Sequence, residues 1–216
     1  MIADARIEAP PASLARQKKR GFTLTEIAIV LGIIGLILGA IWVAASAVYN
    51  NLRVSHANTA ILQLTQAVRG LYATSPDTSL MTEAILISAK AYPADLLNST
   101  GTGFNDPWSQ GVTTVAPSTE GPPSLGFTIS MSYVPADACT NLLTSVAGLN
   151  HDSGLFVVMV NGTAVAGIGG TGATTAGAAI TAPVTFALAT NACGVNNNGA
   201  QANAVTTVLF GYNVKS

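Results

Sequence analysis

Lys18-Lys19-Arg20-Gly21-Phe22-Thr23-Leu24-Thr25-Glu26 leads directly into a run of 22 residues, Ile27 to Val48, without a single charge. At the rise of an α-helix that run is about 33 Å long, enough to cross the hydrocarbon core of a bilayer. The basic cluster before it fixes the direction, because positive flanks stay in the cytoplasm and the chain beyond Val48 is then exported. Residues 1–21 are polar and basic, contain Pro10-Pro11 and show no apolar periodicity, so they read as a leader and not as part of the fold. A carboxylate at the head of an apolar segment needs a partner, which makes Glu26 the residue to explain. One reading is that it complements the positive end of its own helix.

Downstream, Val54, Ala57, Ile61, Leu64, Val68 and Leu71 recur at alternating spacings of three and four, with Asn51, Ser55, Asn58, Gln63 and Gln66 on the other faces. That is one apolar stripe, so the sequence predicts a single helix from about Thr25 to Tyr72 whose second half covers a globular domain. Gly70 and Ser75-Pro76 supply stop signals. A shorter helix is predicted over Leu80 to Ala91, with its N-cap at Asp77, Thr78 or Ser79 and Pro93 beyond its end. The texture then changes to β-prone runs between Gly, Pro, Asn and Ser: Gly111 to Val115, Gly126 to Tyr133, Leu155 to Val160, Thr163 to Ala166 and Val205 to Val214. Asn161-Gly162 marks a tight hairpin, because both central positions of such a turn need positive φ. Ala138 to Ala147 reads as helix, Pro183 to Ala192 as a short helix or a strand, and Gly167 to Ala179 as a low-complexity surface loop. The predicted class is α+β, a long helix packed on an antiparallel sheet.

The whole chain is 49% hydrophobic and only 9% charged, which weighs against a soluble cytoplasmic enzyme. Five of the nine Lys and Arg lie in the first 20 residues, leaving four bases against eight acids beyond Gly21. An electrostatic nucleic-acid surface is therefore not expected. Cys139 and Cys193 both follow the apolar run, in a compartment where they can pair. Catalytic groups are scarce. His56 and His151 have no metal-ligand spacing to another His or Cys, and Gly167-Ile168-Gly169-Gly170-Thr171-Gly172 fits the dinucleotide pattern without the acid that should follow it. No catalytic, cofactor-binding or metal-binding residue is therefore expected, and the protein is not expected to be an enzyme. Asn98-Ser99-Thr100 and Asn161-Gly162-Thr163 are formal glycosylation sequons.

The basic cluster, Gly21, the aromatic Phe22 and Glu26 in the fifth place after the glycine, all ahead of a spanning helix, closely resemble the processing site of type IV prepilins. The resemblance implies a membrane-embedded prepilin peptidase that cuts between Gly21 and Phe22 and methylates the new amine of Phe22. It also implies that Glu26 faces the Phe22 amine of a neighbouring subunit during assembly. Gly32, Gly35 and Gly39 permit close helix approach in a filament core. Many related pilins carry a kinking proline midway through this helix, and this sequence has none there.

Tyr92-Pro93-Ala94-Asp95-Leu96, Asn105-Asp106-Pro107-Trp108, Val134-Pro135 ahead of Ala138-Cys139, and Cys193 before a final strand occur in an order similar to type IVb pilins, including those of thin conjugative pili. That likeness implies the type IV pilin fold with a C-terminal region closed by a Cys139–Cys193 bridge. The implied organisation is a cleaved leader over 1–21, a transmembrane and filament-core helix over 22–50, and a pilin domain over 51–216 that faces first the periplasm and then the pilus surface. The implied role is a structural, major subunit of a filament serving adhesion, cell–cell contact or conjugation. Its implied partners are other pilin subunits, the prepilin peptidase, the inner membrane, the pilus assembly machinery and a host-cell or recipient-cell surface. The alternatives within the family are a minor pilin, an adhesin or a type II secretion pseudopilin. Outside it stand a signal-anchored periplasmic protein and a secreted one cut at Ala45-Ser46-Ala47.

Overall fold

The structure, a computed structural model, describes residues 22–118, 125–167, 171–172, 180, 182–194 and 206–215. The leader expected over 1–21 lies outside them. The first helix, α1, runs from Leu24 to Leu71, within a residue of its predicted ends. It contributes to two compact units, one up to Ala45 and one from Ser46 onward. In the first unit the helix is apolar all round and exposed, as Leu31, Leu36 and Trp42 show, and the described residues contain one helix long and apolar enough to cross a membrane.

In the second unit the predicted stripe is the buried face of α1. Val54, Ala57, Ala60, Ile61, Leu64 and Val68 are buried, while Leu71, at the last turn, is 40% exposed and closes the stripe one residue early. The helix α2 is shorter than predicted, Glu83–Ser88, with Thr82 as its N-cap. The reason is tertiary: Thr78 is buried and its Oγ1 donates to the Gly126 carbonyl at 2.7 Å, which holds residues 78–81 in a turn that also buries Met81.

Among the described residues the sheet has seven strands, in the order β1-β2-β3-β7-β4-β5-β6. They are β1 Phe104–Asn105, β2 Val112–Pro117, β3 Gly126–Val134, β4 Leu155–Val160, β5 Thr163–Gly167, β6 Thr171–Gly172 and β7 Thr206–Asn213. All pairings are antiparallel except β5 with β6, which is parallel. Neither β1 nor β6 was expected, and each has only two residues, too few to show alternation. Of the loop predicted over Gly167 to Ala179, residues 168–170 and 173–179 lie outside the described residues. The β4–β5 hairpin turns through Asn161 and Gly162 with φ of 50° and 76°, as its sequence required.

One face of the sheet carries the core. Phe127, Ile129 and Met131 of β3 lie beside Val208, Phe210 and Tyr212 of β7, all buried in one cluster with the stripe of α1. On β4 the alternation slips: Leu155 pairs with Tyr212 but Val157 with Gly211, so one extra residue is accommodated and Leu155, Val158 and Val160 all reach the core. Phe156 packs instead over Gly126 and Gly211, where added Cβ atoms would stand 3.1 Å and 2.8 Å from its ring. A Cβ on Gly211 would also come within 2.5 Å of Val157 Cγ1. Gly211→Ala is accordingly expected to destabilise the domain by roughly 1–3 kcal/mol through overpacking, measured as a lower melting temperature of the full chain in detergent.

Helix α3, Ala136–Val146, lies along α1. Asn50 Nδ2 donates to Asp137 Oδ2 at 3.0 Å, and eight residues further along both helices Ser145 Oγ donates to Asn58 Oδ1 at 2.8 Å, so the two helices run in the same direction. Helix α4 spans Phe186–Gly194, which decides the Pro183 to Ala192 region as helix. Cys139 of α3 and Cys193 of α4 form a disulfide with Cα atoms 5.8 Å apart.

Candidate assembly and processing site

The head of α1 is closed by two residues three positions apart, Thr23 and Glu26. Thr23 stands at the N-cap, and its backbone N–H and its Oγ1 both donate to Glu26 Oε2 at 2.9 Å, while the Glu26 N–H donates back to Thr23 Oγ1 at 3.3 Å. This is a reciprocal capping box, which satisfies backbone donors that the first helical turn leaves open. Glu26 therefore has a partner inside its own chain, and its complementing of the helix N-terminus is part of the geometry. Both accepted bonds fall on Oε2, so Oε1 is the oxygen to which a second donor has access.

The Thr-x-x-Glu spacing that builds the box was present in the sequence as Thr23-Leu24-Thr25-Glu26. Thr23 is thus a site residue that reading the segment as a processing motif passed over. Phe22 is 84% exposed beside the box, and Gly32, Gly35 and Gly39 lie further along the same helix with no atom within 4 Å of an added Cβ. Gly21 lies outside the described residues.

At the other end of α1 an ion pair holds the domain together. Arg69 donates to both oxygens of Asp152, at 2.8 Å and 2.7 Å, and through Nε to the Asn213 carbonyl at 3.1 Å. Asp152 also accepts the Gly154 N–H at 2.7 Å. One guanidinium thereby ties the last turn of α1 to the approach to β4 and the end of β7. The Arg69 bonds, more than the opposing effect of burial, hold the Asp152 carboxyl below the usual carboxylate range. A depressed value in the folded state means that this contribution is present above the unfolded value of about 4 and is lost as pH falls through the folded one. The Arg69→Ala variant is expected to lose roughly 1–3 kcal/mol, between exposed and buried ion pairs. It should also show a flatter fall in melting temperature below about pH 4 than the parent.

Among the described residues neither histidine gathers metal ligands. His56 bonds Asp95 in the short turn at Ala94–Leu96, and His151 lies between the carbonyls of Gly148 and Ile180, at 2.8 Å and 3.0 Å. Among the described residues no cluster of three His, Cys, Asp or Glu is placed to hold a metal.

Similarity to known proteins agrees with this arrangement. Residues 51–209 match the family described as PilS N terminal, and residues 16–42 match the prokaryotic N-terminal methylation motif. The structure is similar to the crystal structure of a type IV b pilin from Salmonella typhi, with 24% identity and a TM-score of 0.51 over 74% of this chain and 99% of that one. TcpA, a type IV pilin from Vibrio cholerae El Tor, also matches, with 15% identity and a TM-score of 0.46 over 74% of this chain and 98% of that one. No curated protein matches at a significant level. The family match covers more than half of the chain, and the apolar helix, the sheet and the Cys139–Cys193 bridge are those of a pilin fold. The chain belongs to the PilS family of type IV pilins.

Proposed function

We propose that this pilin is the major, structural subunit of a type IV pilus, made as an inner-membrane precursor with its globular domain in the periplasm and then assembled into an extracellular filament. The observation that carries the proposal is the continuity of α1, one helix of 48 residues whose head matches the methylation motif and whose second half holds the pilin sheet. The head and first half suit a membrane and then a filament core; the second half suits a domain presented to the outside.

Prepilin peptidase cleaves between Gly21 and Phe22 and methylates the Phe22 amine. Glu26, held by Thr23, then presents Oε1 to the Phe22 amine of a neighbouring subunit, so that the two charges meet where water is scarce. Gly32, Gly35 and Gly39 let neighbouring helices approach closely around that contact. The exposed parts of the domain meet a recipient cell or host surface, in conjugation or adhesion. Thr23→Val, which removes the hydroxyl but keeps the backbone donor, should lower filament yield less than replacement of Glu26 does. Electron microscopy of sheared surface filaments tests the major role: deleting the subunit should leave no filaments, and filaments persisting in its absence would assign it a minor one.

A further inference from the structure

The row of backbone donors along the outer edge of β2 is closed at each position by a different device. Strand residues alternate between the two edges of a sheet, so the parity of β2 can be read from its bonds. The N–H of Val112 donates to Ser132 Oγ at 2.8 Å and that of Ser118 to the Gly126 carbonyl at 3.0 Å, so even-numbered residues face β3. Odd-numbered residues face outward. Thr113 is covered by β1, paired with Phe104, and the Gly111 carbonyl accepts from Asp106 N–H at 3.2 Å. Beyond that β1 ends, and an edge of this kind templates pairing with another chain.

Two features occupy what is left. Glu83, the first residue of α2, brings Oε1 to the Val115 N–H at 3.3 Å. At the next outward position stands Pro117, which has no N–H to give. With Val115 buried beneath Glu83 and Pro117 without an N–H, a strand arriving at this edge would find no outward donor and could form only part of a ladder. Gly103 admits the Glu83 carboxylate: an added Cβ there would lie 3.3 Å from Oε2.

We propose that Glu83 is a gatekeeper of the β2 edge, a side chain that denies the edge to strands of other copies and so leaves subunit association to surfaces other than strand pairing. A pilin reaches high local concentration in the membrane and again in the filament, where an open edge would compete with ordered assembly. The lock is local and independent of Glu26, so the proposal stands whether or not the Glu26–Phe22 pairing does.

Three variants of the full chain in detergent test it: Glu83→Ala frees the Val115 donor, Glu83→Gln keeps an acceptor there, and Pro117→Ala adds an outward donor while leaving Glu83 in place. Near-ultraviolet circular dichroism and the oxidised state of Cys139 and Cys193 report whether each remains folded. Glu83→Ala and Pro117→Ala are expected to shift from the dispersed fraction into sedimenting, thioflavin-positive aggregates, with Glu83→Gln behaving as the parent. If Glu83→Ala does not fold, Glu83→Leu, which also lacks an acceptor for the Val115 N–H, replaces it. A folded Glu83→Ala protein that stays as dispersed as the parent would overturn the proposal, as would a Glu83→Gln protein that aggregates like Glu83→Ala.

Discussion

The Glu26→Val variant is expected to insert in the membrane, be cleaved, and form no filaments. Valine suits an apolar helix at least as well as glutamate, so insertion does not suffer. Two things are lost: the acceptor for the Thr23 N–H and hydroxyl, and the charge proposed to meet a neighbouring Phe22 amine. Glu26→Gln separates them, because glutamine can still close a capping box but carries no charge. If the intersubunit charge pair is what matters, Gln should fail nearly as completely as Val. Normal piliation of both variants, scored by electron microscopy and by pilin recovered from sheared cells, would remove Glu26 from assembly.

Cys139→Ala is expected to have the largest effect on stability. The bridge joins positions 54 apart and encloses β4, β5 and β6, and by the chain-entropy relation a loop of that length contributes about 4 kcal/mol. Against a total stability of roughly 5–15 kcal/mol for a domain, that is a large share. Thermal melting of the full chain should show it, and Cys193→Ala should match it. The double variant should be no worse than either single one, since each breaks the same bond. A double variant that loses about twice as much would mean that the two sulfur atoms act through separate packing.

Which features were legible in the sequence follows from whether their causes are local. The stripe from Val54 to Val68 repeats at helical spacing, so α1 could be drawn almost to its ends; only Leu71 fell outside. Asn161-Gly162 specifies its own backbone, and the hairpin formed around it. α2 was misjudged because the Thr78–Gly126 bond spans 48 positions and pulls a helix-compatible segment into a turn. The same holds for Arg69 and Asp152, 83 positions apart, for which no local pattern exists. Phe156 defeats alternation for a further reason: the extra residue in β4 is visible only in its register with β7. At the head of α1 the signal was there, and Thr23-x-x-Glu26 was read as a processing site when it is also a capping box.

The edge of β2 shows how local residues acquire meaning only in a sheet. Glu83 and Pro117 are unremarkable in sequence, yet because β1 covers β2 only as far as the Phe104–Thr113 pair, the outward positions 115 and 117 are left to the Glu83 carboxylate and to proline itself.

The central claim, a pilin released from its leader for assembly, is tested most directly by the intact mass and N-terminal sequence of the exported protein. A chain beginning at N-methylated Phe22 is the predicted result. A chain still beginning at Met1, or one beginning at Val48 after cleavage at Ala45-Ser46-Ala47, would contradict it.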